Sequence, residues 1–443
     1  MNKLIVNKYG RDFQFYPWIK ARIFNVLILG EETLQKKTSK VFFQQLRSLF
    51  YGFSSLFGRY DAWTFTNSAE RVLIDDKYID KGMDALFFQR KEKSLVVELL
   101  LHKFHKRKQV YSKHVVSKAS FIFLEELYLR FFLRRISFTG ESILDEIESV
   151  TKAKVDVHSI LQKYLAQYRV MKYALKILPK PKVVFLTVSY ANFGYIKAWK
   201  EAGIRVVELQ HGLIGETNPG YMYTKRFHSN QFPDELLVFG EKDKELIEKS
   251  RFPINKCVPI GRFIIDYYAG KAKPNKAPIQ SILVSLQDTE WSVALLEFIL
   301  ECDKAMQNKI EWIIQPRRTS EEHYREIYQF PNNFQFSSVS IYEKMIEVDA
   351  HLTIFSTTAI ESLSIGKPTF LYNYKNASEE FLGEILAQNN NVYFCSAVQD
   401  FITKIQTLPL RSVDEISQSN NEVISVNYKE NIKKYLDSIF NEA

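Results

Sequence analysis

The chain has 443 residues, 46% hydrophobic and 25% charged, with 60 Lys and Arg against 51 Asp and Glu and a formal net charge of +9. That length suits two domains better than one core, and the composition excludes a disordered or fibrous chain. The mild positive balance favours an anionic ligand, while no recognisable binding module supports a nucleic-acid partner, so none is expected.

The three cysteines, Cys257, Cys302 and Cys395, show no CxxC or Cys/His spacing, so neither a disulfide framework nor a zinc site is expected and a reducing cytoplasm fits. The opening stretch MNKLIVNKYGRDFQFYPW lacks the apolar core and cleavage site of a signal peptide, and no run approaches the ~18 apolar residues of a membrane span.

In chain order, RIFNVLIL (22–29) reads as a first buried strand and KVFFQQLRSLFYGFSSLF (40–57) as an aromatic-rich helix. Residues 61–86 read as strand, loop and helix start, with Asn67, Ser68, Glu70 and Arg71 directly after the strand AWTFT, where an α/β sheet presents ligand contacts; a turn with a surface ion pair explains the same letters. From about 95 to 138 the chain is basic and aromatic together, with Lys103, Lys106, Arg107, Lys108, Lys113 and Lys118 beside FIFLEELYLRFFLRRISF. Two readings compete here, an anionic membrane surface for the run or a solvated cationic face followed by a buried helix. Residues 155–178 read as an amphipathic helix ended by Pro179 and Pro181.

The stretch from Lys182 to Gly212 is one βαβ unit: VVFLTVS and IRVVELQ are continuous apolar strands, and helical spacing lies between them. Strands without polar alternation belong to parallel sheets buried on both faces, whose working residues sit in loops at the carboxyl ends. Ser189 and Tyr190 end the first strand, and Gln210, His211 and Gly212 end the second. A long glycine- and proline-marked loop follows, then the strands of FPDELLVFGE and KCVPIGRF. AGKAKPNKAPIQ (269–280) is small, basic and proline-broken, and is expected to be the linker, leaving domains at 1–270, with a helical insertion at about 95–178, and 280–443. The second half restarts the βα alternation with SILVSLQ, WSVALLEFILECDKAM, IEWIIQPRR and LTIFSTTAIESLSIGKPTFLYN.

Three constellations carry chemistry. Ser356, Thr357 and Thr358 precede a helix, so hydroxyls and free amides at its amino end suit a phosphate, while an ordinary N-cap is the bland account. Glu361 follows within one turn and suits the hydroxyls of a ribose, against a capping-box role. Arg317, with Arg318, ends a buried strand where a guanidinium fork can clamp phosphate oxygens, against surface ion pairs. His211 lies between Gln210 and Gly212, where the imidazole suits a base or hydrogen-bond donor, against a purely structural histidine.

The run SYANFGYIKAWKEAGIRVVELQHG, then FPDELLVFGE, VPIGRFIIDY and FSTTAIESLSIGKPTFLY, resembles the two-Rossmann-domain (GT-B) glycosyltransferases that build bacterial capsule and surface polysaccharides. The resemblance spans roughly residues 180–375. It implies an α/β fold of two Rossmann-like domains facing a cleft, the first for the acceptor and the second for a nucleotide-sugar donor, UDP- or CMP-linked. It implies phosphate contacts for Ser356, Thr357 and Thr358 and a ribose contact for Glu361, with Arg317 in the donor set. Where such enzymes often carry His-Pro after the neighbouring strand, this chain has Gln315, Pro316 and Arg317.

The expected function is therefore sugar transfer onto a glycan or lipid-linked glycan acceptor by a cytoplasmic protein, peripheral to the inner face of the membrane, with no cofactor or metal. If the reaction inverts, His211, Glu70 and Asp61 are the candidate bases. Ser68, Arg71, Tyr190, Gln210 and Gly212 are expected to line the acceptor side. Polyol-phosphate transfer from a CDP-activated donor, which also places His-Gly at a strand end, and a non-catalytic sugar-nucleotide-binding scaffold are the alternatives.

Overall fold

The computed structural model describes residues 5–6, 15–29, 47–88, 90–100, 109–132, 136, 138–139, 141–152, 156–216, 218–287, 289–307, 309–317 and 319–441. The chain forms two compact units, Met1–Val238 with Asp243–Val258, and Phe239–Lys242 with Pro259–Ala443.

The first unit is built on a seven-stranded sheet of β1 (Ala62–Asn67), β2 (Ser94–Leu99), β3 (Val115–Ser117), β4 (Val183–Leu186), β5 (Arg205–Leu209), β6 (Glu235–Val238) and β7 (Lys256–Pro259), in spatial order β7-β6-β5-β4-β1-β2-β3. The pairs from β6 through β3 run parallel. The chain lays down β1, β2 and β3 towards one edge, then returns to β4 beside β1 and builds the other way. That reversal opens a gap between the loops at the carboxyl ends of β1 and β4, the place where such sheets bind ligands. Helices α1 (Tyr16–Leu29), α2 (Ala119–Phe132), α3 (Val157–Ile177) and α4 (Phe193–Glu201) belong to this unit. Trp63, Phe65, Val97, Leu186, Trp199 and Val206 share its core. Burial on both faces is why VVFL is apolar throughout.

The second unit repeats the scheme with six strands, β8 (Ser281–Ser285), β9 (Glu311–Gln315), β10 (Phe334–Phe336), β11 (Ala350–Thr353), β12 (Thr369–Tyr372) and β13 (Val392–Cys395), in order β10-β9-β8-β11-β12-β13 and parallel throughout. Its reversal lies between β8 and β11. The helices α5 (Thr289–Ala305), α6 (Thr358–Ile365) and α7 (Tyr428–Phe440) belong here, and Ile282, Val284, Trp312, Leu352, Phe370 and Phe401 form the core.

Four local expectations need correction. RIFNVLIL is not a strand but the end of α1, since a short apolar run has no periodicity to separate a buried helix from a strand; Pro17 sits in the first turn, where its missing N–H costs nothing. Of the helix expected at 40–57, residues 40–46 lie outside the described set, 47–48 are helical, and the remainder is turn and a 3-10 helix, Phe53–Phe57. The insertion expected at about 95–178 is not wholly helical, because it supplies most of β2 and all of β3. Within that stretch Lys103, Lys106, Arg107 and Lys108 lie outside the described residues, Lys113 is exposed, and the Lys118 ammonium donates to Asn192 Oδ1 at 2.8 Å.

The linker expected at 269–280 is not free. The Lys367 side chain, fully buried, donates from Nζ to the Lys273 carbonyl at 2.7 Å and to Asn275 Oδ1 at 3.0 Å. Asn275 returns a bond to the Gly366 carbonyl, and Asp349 accepts from the amides of Gln280 and Ser281. The lysine of Gly-Lys-Pro thus anchors this segment, and burial pushes its ammonium down to about 8.

Candidate functional site

In the second unit, the reversal between β8 and β11 is bridged by polar ties. The Thr353 hydroxyl donates to the Ser285 carbonyl at 2.9 Å, and Gln287 Oε1 accepts the Phe355 amide at 3.2 Å. After β11 the chain turns through Ser356 and Thr357 into α6. Ser356 Oγ accepts the Thr358 amide at 3.3 Å, so it serves the turn itself. Thr357 occupies the cap position in helical conformation, exposed and with no side-chain cap bond. An ordinary N-cap therefore does not account for its hydroxyl. The positive end of the helix macrodipole, a free hydroxyl and helix-end amides all meet at the carboxyl edge of the sheet, the chemistry that favours an anion.

Arg317 is exposed two residues beyond β9, on the strand beside β8, and so reaches the same edge. Arg318 lies outside the described residues. Glu361 is buried and its carboxylate takes the Arg262 guanidinium in a close ion pair and a hydrogen bond with the Tyr342 hydroxyl. The capping-box reading fails, since Thr357 makes no side-chain cap bond. Arg262, which also packs over the Phe239 ring at 4.8 Å, is a residue sequence reasoning missed; it lies in the quoted VPIGRF without any pattern to single it out.

His351 was missed as well. It sits within β11, fully buried, with Nε2 2.8 Å from Ser285 Oγ and 3.4 Å from Thr358 Oγ1. Burial drives its pKa down to about 3, so the ring is neutral at any ordinary pH.

In the first unit, Ser68–Glu70 follows β1 as a 3-10 turn, opened by Asn67 Oδ1 accepting the Ala69 amide at 3.0 Å. Ser68 is buried, and Glu70 pairs with Lys81 at 3.2 Å. After β5, Gln210 is buried and its Nε2 donates to the Gly212 carbonyl and to Asp243 Oδ2, each at 2.9 Å. Gln210 is thus a brace that fixes the turn rather than a surface contact. Asp243, unnoticed in the sequence, is pushed up to about 6 by burial. His211 is left exposed at the tip, with Gly212 open beside it. Partial burial by its surroundings still lowers the imidazole pKa, against the opposing charge of nearby Glu70. A neutral imidazole at pH 7 can accept a proton.

The turn after β4 carries strain. Val188 holds φ 57° and ψ 66°, a left-handed conformation costly for a β-branched residue. Asn192 Nδ2 donates to the Thr187 and Val188 carbonyls, and Glu208 Oε1 accepts the Ser189 amide at 2.8 Å and the Tyr221 hydroxyl at 2.9 Å. Tyr190, half-buried, meets Tyr221 edge-on at 6.3 Å. Glu208 Oε2 is buried with no partner among the described residues, and burial pushes this carboxyl up to about 7.

Two expected members do not join this edge. Asp61 precedes β1 and therefore lies at the amino ends, where its carboxylate accepts the Lys93 amide at 2.8 Å; the six residues of β1 put it roughly 20 Å from the His211 edge. Arg71 is wholly buried, bound to Asp84 at 3.0 Å and to Glu98, so it holds the β1 edge together instead of facing a ligand. Among the described residues no group of three His, Cys, Asp or Glu is placed to hold a metal ion.

Both sheets thus share one topology, each with its polar residues at the reversal. Solved structures with the same arrangement include a UDP-N-acetylglucosamine 2-epimerase, with a TM-score of 0.51 and 11% identity over 87% of this chain and 97% of that one. They also include CalG4, the calicheamicin glycosyltransferase, with a TM-score of 0.51 and 11% identity over 87% of this chain and all 100% of that one. The chain has the GT-B fold. Two Rossmann-like sheets account for both likenesses, and identity this low carries fold and no more. No family model matches the chain, and no curated protein matches it in sequence.

Proposed function

We propose that this GT-B protein transfers a sugar from a nucleotide-sugar donor to a glycan acceptor in bacterial surface-polysaccharide synthesis. The observation that carries the reading is the amino end of α6 at the β8/β11 reversal, where the exposed Thr357 hydroxyl caps nothing, with Ser356 and Thr358 beside it and Arg317 at the same edge. Donor diphosphate would lie there, and Glu361, released in part from Arg262, would take the ribose. The acceptor would be held by the first unit near Ser68, Tyr190 and Gly212.

In an inverting displacement the acceptor oxygen attacks the anomeric carbon, the bond from that carbon to the donor phosphate oxygen breaks, and the nucleoside diphosphate leaves with the electron pair. The acceptor proton passes to a neutral imidazole nitrogen of His211. Glu70 beside it stabilises the resulting imidazolium.

The neighbours' names support a nucleotide-sugar substrate and two outcomes for it, since one acts as a glycosyltransferase and another as a UDP-N-acetylglucosamine 2-epimerase. Epimerisation is therefore the second reading. A membrane-bound acceptor is supported by Phe131 and Phe132, 62% and 73% exposed at the end of α2. No helix among the described residues is long and apolar enough to cross a membrane.

The deciding experiment measures thermal stabilisation by UDP-, CMP-, GDP- and CDP-activated donors and then turnover with and without a glycan acceptor. Stabilisation by UDP- or CMP-sugars with acceptor-dependent release of the nucleotide supports transfer. Acceptor-independent change of the sugar favours epimerisation, response to CDP-polyols alone favours polyol-phosphate transfer, and binding without turnover leaves a scaffold.

A further inference from the structure

The β8/β11 reversal holds a buried histidine that no part of the proposed chemistry uses. His351 Nε2 lies between two hydroxyls, Ser285 Oγ at 2.8 Å and Thr358 Oγ1 at 3.4 Å, while Nδ1 is buried without a partner among the described residues. A neutral ring carries one proton. Placed on Nδ1, it would leave a donor buried and unpaired, which folded proteins rarely tolerate; placed on Nε2, it finds two acceptors and leaves only a bare lone pair behind. We assign the proton to Nε2 on this hydrogen-bond argument.

The assignment orients what stands next to it. A hydroxyl that accepts from Nε2 must point its own hydrogen elsewhere. Thr358 opens α6 beside Thr357, whose exposed hydroxyl caps nothing, so the hydrogen that Thr358 does not spend on the ring is available at the amino end of the helix. We propose that His351 is a positioning residue that acts through Thr358, turning its hydroxyl into a fixed donor for a diphosphate oxygen at the amino end of α6. This rests on the nucleotide reading of that helix end and adds the device that orders it. Ser285 steadies the ring from the neighbouring strand, so the pair ties the two strands at the gap to the ligand above them.

The test is a double-mutant cycle read by calorimetry with UDP, CDP, CMP and GDP as probes. For the nucleotide that the unaltered protein binds tightest, His351→Leu and Thr358→Val should each weaken affinity about tenfold, the loss of one hydrogen bond to a charged group. The double variant should be no worse than about tenfold, because both changes remove the same donor. His351→Gln, which keeps an amide donor, should stay within about threefold. Should His351→Leu not fold, His351→Met, similar in reach and without a donor, takes its place.

A histidine that only supports the core would lower the melting temperature and leave nucleotide affinity of the folded protein unchanged, and that result overturns the proposal. Single losses that multiply to about a hundredfold in the double variant overturn it too, since they place the two residues in separate roles. If the unaltered protein binds none of the four nucleotides, the nucleotide reading of α6 falls and this inference falls with it. Binding with unchanged affinity in His351→Leu instead leaves that reading standing and removes this one alone.

Discussion

Replacing Glu208 by Gln should stabilise the protein, and only at high pH. The carboxyl is fully buried, Oε1 accepts from the Ser189 amide and the Tyr221 hydroxyl, and Oε2 has no partner among the described residues. Desolvation lifts its pKa from 4.5 to about 7, more than those bonds lower it. The native state therefore holds a proton that the unfolded chain has lost between those values. Stability from this group is present below pH 4.5 and drains away as the pH rises through about 7. That difference corresponds to roughly 3 kcal/mol as an upper bound. Gln keeps the oxygen acceptor and cannot ionise. Urea unfolding should show Glu208→Gln more stable than the parent by about 2 to 3 kcal/mol at pH 8 and within about 1 kcal/mol of it at pH 5. Comparing variant with parent at each pH cancels the other raised acids, the buried Asp80 and Asp243 and the half-buried Asp266, each pushed up to about 6. A destabilised variant at pH 8, or a difference that does not change with pH, refutes the reasoning.

Thr357→Ala removes an exposed hydroxyl that caps nothing, so nucleotide affinity should fall about tenfold with the melting temperature unchanged, and unchanged affinity by calorimetry counts against the phosphate site. His211→Asn should lower kcat by ~10² to 10⁴ with little change in donor affinity. Because the imidazole pKa is lowered, the parent rate should climb with pH in the acid range and have reached its plateau by neutral pH, and a steady-state profile with no acid limb sinks the base assignment. Phe131→Ser with Phe132→Ser should reduce sedimentation with anionic vesicles, and a parent that never sediments ends the membrane proposal.

The carboxyl-end residues were legible because buried parallel strands announce themselves as unbroken apolar runs, and the residue after such a run must lie at the sheet edge. That logic located His211, Tyr190 and Thr357. It could not say which residues at an edge face outward. Arg71 and Gln210 follow strands as His211 does, yet one is consumed by Asp84 and Glu98 and the other braces Gly212. Asp61 shows the opposite error, since proximity to a strand does not specify which end of it. His351 and Glu208 stayed hidden because each lies inside a strand, where a polar letter in an apolar run gives no hint of its partner 66 or 19 residues away. The 22–29 run misled for want of a period, and the Gly-Lys-Pro lysine because its acceptors are backbone and side-chain oxygens near residue 275.

The polypeptide changes unit after Val238, again after Lys242 and finally after Val258. No single scissor point therefore yields two whole modules. A fragment ending at 238 forfeits β7 and the Asp243 carboxylate that Gln210 grips, while one beginning at 259 forfeits Gly240, whose place against the Glu422 carbonyl is so close that an added Cβ would sit 2.3 Å from it. Recombination that joins the first unit of one such chain to the second unit of another must carry residues 239–242 with the later part and 243–258 with the earlier one. A chimera joined anywhere in 269–280, where the sequence invites a cut, would keep its first unit whole and build its second from both parents.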